Sequence, residues 1–183
     1  GIGLATVVGW PLFWMGLYCY LIGIFYSSGP RPLSSLPLGE FFSGTTMGFM
    51  ITLICVYLNT YPTFQWDFAT IGGIALISLP NTIWIANLML ANNICDLEED
   101  EKNRRYTLVH YLGKSRALKL FVANNILAFI AIILSVVWQL APVSVLFTLG
   151  IALFVARQTK LFLEKQVKLE TFATAIKILA VGS

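Results

Sequence analysis

The sequence predicts an all-α protein, a multi-span transmembrane helical bundle, and three observations carry that prediction. Hydrophobic residues make up 57% of the 183 and charged residues 11%, where soluble domains hold roughly a quarter charged. The apolar residues fall into runs near the ~20 residues that cross a bilayer core, joined by short connections. The bases keep to one side: alternating the spans puts the loops at about 27–40, 92–116 and 157–170 together, and with adjoining Lys119 they hold every Lys and Arg of the twelve except Lys177. By the positive-inside rule that side is the cytoplasm. The net charge of +3 is too small to imply a nucleic-acid partner, and topology explains the bases better. Cys19, Cys55 and Cys95 lie far apart with no ligand spacing, so neither a disulfide framework nor a zinc site is indicated; Cys19 and Cys55 read as core residues.

Residues 1 to 26 are apolar throughout but interrupted at Gly9-Trp10-Pro11, so they read as the tail of one span and a helix from about Leu12 to Tyr26. Ser27 to Gly39 contains Pro30, Pro32, Pro37, Gly29 and Gly39, a density that forbids regular helix and marks a structured loop. A helix then runs from near Glu40 to about Leu58, its acid in the first turn where the helix dipole favours it. Within it, Gly44 to Gly48 fits the small-xxx-small pattern that lets membrane helices approach closely, read here as packing inside the monomer. Asn59 to Trp66 is an uncharged turn with interface aromatics. The next helix covers about Asp67 to Ala91, with Pro80 placed to kink it. Asn81 and Asn92 are three turns apart, about 16 Å along its axis, and serve as interhelical hydrogen-bond partners or line a cavity. A helix from Ala117 to about Leu140 carries Asn124 and Asn125 as packing groups, and one from about Val143 to Phe162 follows. The final apolar segment, Thr171 to Gly182, is too short to cross a core of about 30 Å. That ending, with the missing initiator Met before Gly1, reads as a longer chain cut at both ends, so that 1–183 is one partial domain. No signal peptide, internal repeat or low-complexity segment is visible.

The chemistry gathers in residues 92–113, which hold five of the nine acids. Asn92, Asp96 and Asp100 recur every fourth residue, so on a helix they form one stripe with Cβ atoms about 5–6 Å apart. Paired carboxylates so placed repel each other unless a cation joins them, and magnesium is usually held by one or two carboxylates plus substrate phosphates. Lys102, Arg104 and Arg105 follow, and their ammonium and guanidinium groups suit phosphate oxygens. From pattern alone the competing reading is a solvated, mixed-charge loop between two membrane segments.

This stretch resembles the second aspartate-rich motif of the UbiA superfamily of intramembrane prenyltransferases, whose pattern Asn-x-x-x-Asp-x-x-x-Asp is met by Asn92, Asp96 and Asp100, with Arg105, Thr107 and Leu108 following. Asn92-Asn93 and the closing Leu112-Gly113 are most similar to the 1,4-dihydroxy-2-naphthoate polyprenyltransferases of menaquinone synthesis. The loop from Tyr26 to Glu40 is similar to one those enzymes carry between two middle helices. Two departures are Cys95, where many relatives have Arg, and Arg104, where relatives often have Gly.

The resemblance implies transfer of a polyprenyl group from polyprenyl diphosphate to 1,4-dihydroxy-2-naphthoate with loss of its carboxylate, giving demethylmenaquinone, in the plasma membrane of a bacterial cell. It implies Mg2+ on Asp96 and Asp100, with Asn92 as a ligand or as a group orienting one, and Asn93, Lys102 and Arg105 on the substrate side. Arg31, the one base of the proline loop, either contacts an anionic substrate through its guanidinium or snorkels to the headgroups. Glu40 orients an acceptor hydroxyl or caps its helix. Family members have about nine membrane helices and an earlier Asn-Asp-x-x-Asp motif that does not occur here, so the 183 residues alone are expected to be inactive. Two other classes compete: a relative with another acceptor, such as 4-hydroxybenzoate or a haem, which would be expected to lack the proline loop, and a non-enzymatic membrane protein, which would need acids facing each other across helices within the bilayer.

Overall fold

The structure, a computed structural model, describes residues 2–182, and every regular element among them is helical. Helices α1 (Ile2–Val8) and α2 (Trp10–Ser27) are separated by Gly9, whose φ of 106° lies where a side chain is strained. Pro11 stands in the first turn of α2, the one place where its missing N–H costs nothing. The proline loop follows, with a single 3-10 turn at Leu33–Ser35. Helix α3 (Gly39–Thr60) contains a π-helical stretch at Thr45–Met50. Helix α4 (Phe68–Cys95) begins on Asp67, whose carboxylate accepts from the Thr70 amide at 2.7 Å. Two short helices, α5 (Leu97–Lys102) and α6 (Leu108–Leu112), order much of the 92–116 connection. Helix α7 (Lys114–Val137), α8 (Val143–Glu164, wound as a 3-10 helix through Ile151) and α9 (Phe172–Gly182) complete the chain. By length and composition α3, α4, α7 and α8 can each cross a membrane, and the chain is an integral membrane protein.

The bundle is built around α4. Near its start Ile74 joins Val8, Leu12, Met15, Leu53 and Tyr57 in one apolar cluster. Further along, Trp84, Leu90 and Ile94 pack with Phe121 of α7, Phe162 of α8 and Ile178 of α9 in a second. The approach of α3 to α4 depends on Gly44 and Gly48: a Cβ on Gly48 would lie 2.5 Å from the Thr82 Cα, and one on Gly44 2.6 Å from the Thr82 carbonyl oxygen. The small-residue pattern thus serves contact within the monomer, as the sequence indicates. Polar bonds also join the helices. Asn87 donates to the Phe121 carbonyl at 2.9 Å and accepts from Asn124 at 3.0 Å, and Asn125 donates to Thr159 at 3.1 Å. Asn124 and Asn125 are therefore packing groups, as expected, but the partner on α4 is Asn87. The Asn81 carboxamide oxygen is buried without a partner among the described residues. Cys55, read as core, is exposed on α3, and Cys19 is half-buried; on an outer helix face in a membrane a thiol meets lipid, so its apolar character does not require burial in protein.

Candidate active site

The three basic connections that charge alternation groups together meet at one end of the bundle. Asn93 donates to the Glu40 Oε1 at 2.8 Å, joining the end of α4 to the start of α3. An Arg105 Nη donates to the Ser34 carbonyl of the proline loop at 3.3 Å. Lys168, between α8 and α9, forms an ion pair with Asp96. Trp10, Tyr61, Trp66 and Trp138 are exposed at helix ends that alternation assigns to the opposite side, where interface aromatics are expected.

The aspartate stripe survives the break between α4 and α5. Asp96 leaves α-helical geometry with ψ near 4°, yet its amide still bonds the Asn92 carbonyl at 3.0 Å and its carbonyl accepts from Asp100 at 2.8 Å. The i,i+4 spacing therefore continues across both helices. The Asn92 amide donates to Asp96 Oδ2 at 3.2 Å, so these side chains share one face. Asp100 is 5% exposed. Its Oδ1 lies 3.2 Å from Arg105 Nε in a charge contact that is not an aligned hydrogen bond, and its Oδ2 is buried with no partner among the described residues. Burial pushes the Asp100 carboxyl above its ordinary value; the Arg105 charge offsets part of that, and Asp96 adds to it.

The turn after α5 aims the bases. Arg105 N–H bonds the Asp100 carbonyl at 2.8 Å and Arg104 N–H the Glu101 carbonyl at 3.1 Å, the paired bonds of a Schellman ending, with Arg104 in the position that glycine usually fills. Its φ is 57°. This accounts physically for the glycine that relatives often carry here. The turn is also held by His110 Nδ1, 2.7 Å from Glu101 Oε1, with Tyr106 and Tyr111 beside the imidazole ring.

Two cavities open at this end; between them they are bordered by Arg31, Arg105, Asp96 and Lys102 of the sequence-predicted residues, while Asn92, Asn93 and Asp100 border neither. One, of about 630 Å³, is bordered by Arg31, Pro32, Arg104, Arg105, Tyr106 and Tyr111. The other, of about 400 Å³, is bordered by Asp96, Glu98, Lys102, Lys114, Gln166 and Lys168. Arg31 and Arg105 are thus brought together, as are Asp96 and Lys102, on different sides of the motif. Asn93, 2% exposed, faces Glu40, and Glu40 makes no side-chain cap. Lys168 and Lys114 were not singled out by the sequence. A base at the end of a basic loop carries no local signal of what it touches.

No cluster of three or more His, Cys, Asp or Glu capable of holding a metal occurs among the described residues; Asp96 and Asp100 are two carboxylates one turn apart, the number that magnesium usually takes from a protein beside substrate phosphates. A buried carboxylate with an unpartnered oxygen gains from a cation, since the cation favours the charged form that burial opposes.

A family model described as "UbiA prenyltransferase family" matches residues 1–178. A 1,4-dihydroxy-2-naphthoate octaprenyltransferase of Bacillus subtilis (strain 168) is 35% identical over 133 residues, which cover 73% of this chain and 40% of that protein. The match therefore spans well under half the length of that relative. No solved structure matches. With the aspartate stripe, the membrane helices and the family model in agreement over nearly its whole length, the chain belongs to the UbiA prenyltransferase family.

Proposed function

We propose that the chain carries the donor-activating half of an enzyme that transfers a polyprenyl group from polyprenyl diphosphate to 1,4-dihydroxy-2-naphthoate, giving demethylmenaquinone. The named activity of the Bacillus relative supports this reading, and one structural observation carries it: segments near residues 34, 96 and 168 converge through Arg105–Ser34, Asn93–Glu40 and Lys168–Asp96. Asp96 and Asp100 would hold magnesium. When bound, the cation supplies positive charge where the diphosphate leaving group becomes negative. Asn92 fixes the Asp96 carboxylate through its amide. Arg105, held between Asp100 and the proline loop, presents guanidinium N–H groups to phosphate oxygens, and Lys102 does so from the other cavity. Apolar helices keep water from the allylic cation while the ring attacks it.

The larger cavity suits the acceptor. It combines the Arg31 guanidinium, which matches a planar carboxylate, with the rings of Tyr106 and Tyr111, which suit an aromatic substrate. The active side faces the cytoplasm in this reading, because the cavities lie among the bases that the positive-inside rule assigns there. Membranes containing the whole enzyme, in which these 183 residues are joined to a segment that carries the first aspartate motif, are expected to move labelled prenyl groups to dihydroxynaphthoate and not to 4-hydroxybenzoate when magnesium is present. Equal transfer to both acceptors, or transfer to hydroxybenzoate alone, would overturn the acceptor assignment.

A further inference from the structure

Lys168 lies 72 residues beyond Asp96 in sequence, on the connection between α8 and α9, and its ammonium is paired with Asp96 Oδ2, the oxygen that also accepts from Asn92. The neighbouring base Lys165 is committed elsewhere, to Glu170 at 2.5 Å. The cavity in front of Asp96 is bordered by three ammonium groups, those of Lys102, Lys114 and Lys168, together with Glu98 and Glu99. A divalent cation on Asp96 weakens that pairing, because two positive charges close to one carboxylate repel each other. Lys168 is then freed to turn away. Its four-carbon stem and three rotatable donors let the ammonium turn to the nearest concentration of negative charge, and a diphosphate held by the same cation provides it.

We propose that Lys168 is a donor-site residue: it neutralises Asp96 in the ligand-free protein and transfers its ammonium to the diphosphate oxygens when the cation and diphosphate arrive together. The inference rests on the magnesium-diphosphate reading of Asp96. It adds to that reading the connection between α8 and α9, which becomes part of the wall of the donor site. Because Lys168 touches the diphosphate and not the ring, its loss acts on the donor alone.

The test compares Lys168→Gln, Lys168→Arg and the control Lys165→Gln in the whole membrane enzyme. Losing one charge-assisted contact is expected to raise the KM for polyprenyl diphosphate about tenfold, with the KM for the acceptor unchanged. Lys168→Arg should restore most of the loss, and Lys165→Gln should match the wild type. A second readout needs no turnover: magnesium with inorganic diphosphate should raise the thermal midpoint of the wild type, and that shift should shrink in Lys168→Gln. An unaltered donor KM together with an unaltered shift would overturn the proposal, as would equal effects on both substrates. If the wild type transfers nothing to dihydroxynaphthoate but the diphosphate-induced shift still depends on Lys168, the acceptor reading fails while the donor-site role of Lys168 stands.

Discussion

Removing the Asn93 amide tests whether that residue touches substrate or holds the site together. Asn93 and Glu40 are 2% and 6% exposed, and the Asn93 amide donates to Glu40 Oε1 at 2.8 Å while Oε2 has no partner among the described residues. In Asn93→Leu the carboxylate loses its side-chain donor and stays buried. A hydrogen bond to a charged group contributes about 1.5–3 kcal/mol, and stripping the partner from a buried charge reaches about 3–5 kcal/mol, so a loss of about 3 kcal/mol is expected. Replacing both partners with apolar groups of similar shape leaves nothing unpaired. Asn93→Leu with Glu40→Met should therefore be less destabilised than the sum of the singles, with a coupling of at least about 1 kcal/mol. Unfolding in mild detergent measures the stabilities, and the donor KM is measured in parallel. Stability within about 0.5 kcal/mol of wild type, combined with a raised donor KM, would refute the structural role and return Asn93 to the substrate.

Gly48→Ala forces its Cβ against the backbone of Thr82 and should cost at least about 1–3 kcal/mol, with loss of activity following the separation of α3 from α4; a neutral effect on thermal unfolding would show that the two helices do not pack so closely. Arg104→Gly relieves the left-handed backbone at φ 57° and should stabilise by about 1 kcal/mol; a lower thermal midpoint would contradict the strain. Arg31→Ala should raise the KM for the naphthoate about tenfold or more with little change for the diphosphate, and equal changes in steady-state assays would remove Arg31 from the acceptor. The carboxyl of Asp67 is lowered by its bond to the Thr70 amide. Its stabilising contribution is therefore present above the unfolded value of 3.8 and is lost as pH falls through the lower folded value. Asp67→Ala should reduce the thermal midpoint at neutral pH and converge with wild type in strong acid, whereas a difference that persists there would sink this account.

What the sequence could disclose, and what it could not, follows from the range of the interactions. The helices were legible because apolar length and Pro or Gly punctuation are local: the observed α3, α4, α7 and α8 begin and end within a few residues of the expected bounds, the widest gap being Cys95 against Ala91. The Asn92-Asp96-Asp100 face was legible because helical period is local too, and the hydrogen bonds carry it through the break at Asp96. The distant partners of the motif were not. Asn93 pairs with a residue 53 positions away and Asp96 with one 72 away, and no short-range pattern announces either. Asn87 was passed over for Asn81 because composition cannot say which polar group on a helix meets a neighbour.

The basic loops were read first as a topological signal, and the structure gives several of those same bases a second place. Arg31, Arg104 and Arg105 border one cavity, while Lys102, Lys114 and Lys168 border the other. The two roles do not compete. A membrane enzyme acting on an anionic, water-facing diphosphate needs its cations on the side from which that group arrives, and insertion retains cations on the cytoplasmic side. One distribution of charge meets both demands, so a count of Lys and Arg can find the face of the site but cannot separate its residues. The separating quantity is the partner each base meets: Lys165 is committed to Glu170 within its own loop, whereas Lys168, three residues on, reaches the aspartate motif. Replacing Lys165 is therefore expected to cost topology signal alone, whereas replacing Lys168 is expected to weaken binding at the proposed donor site.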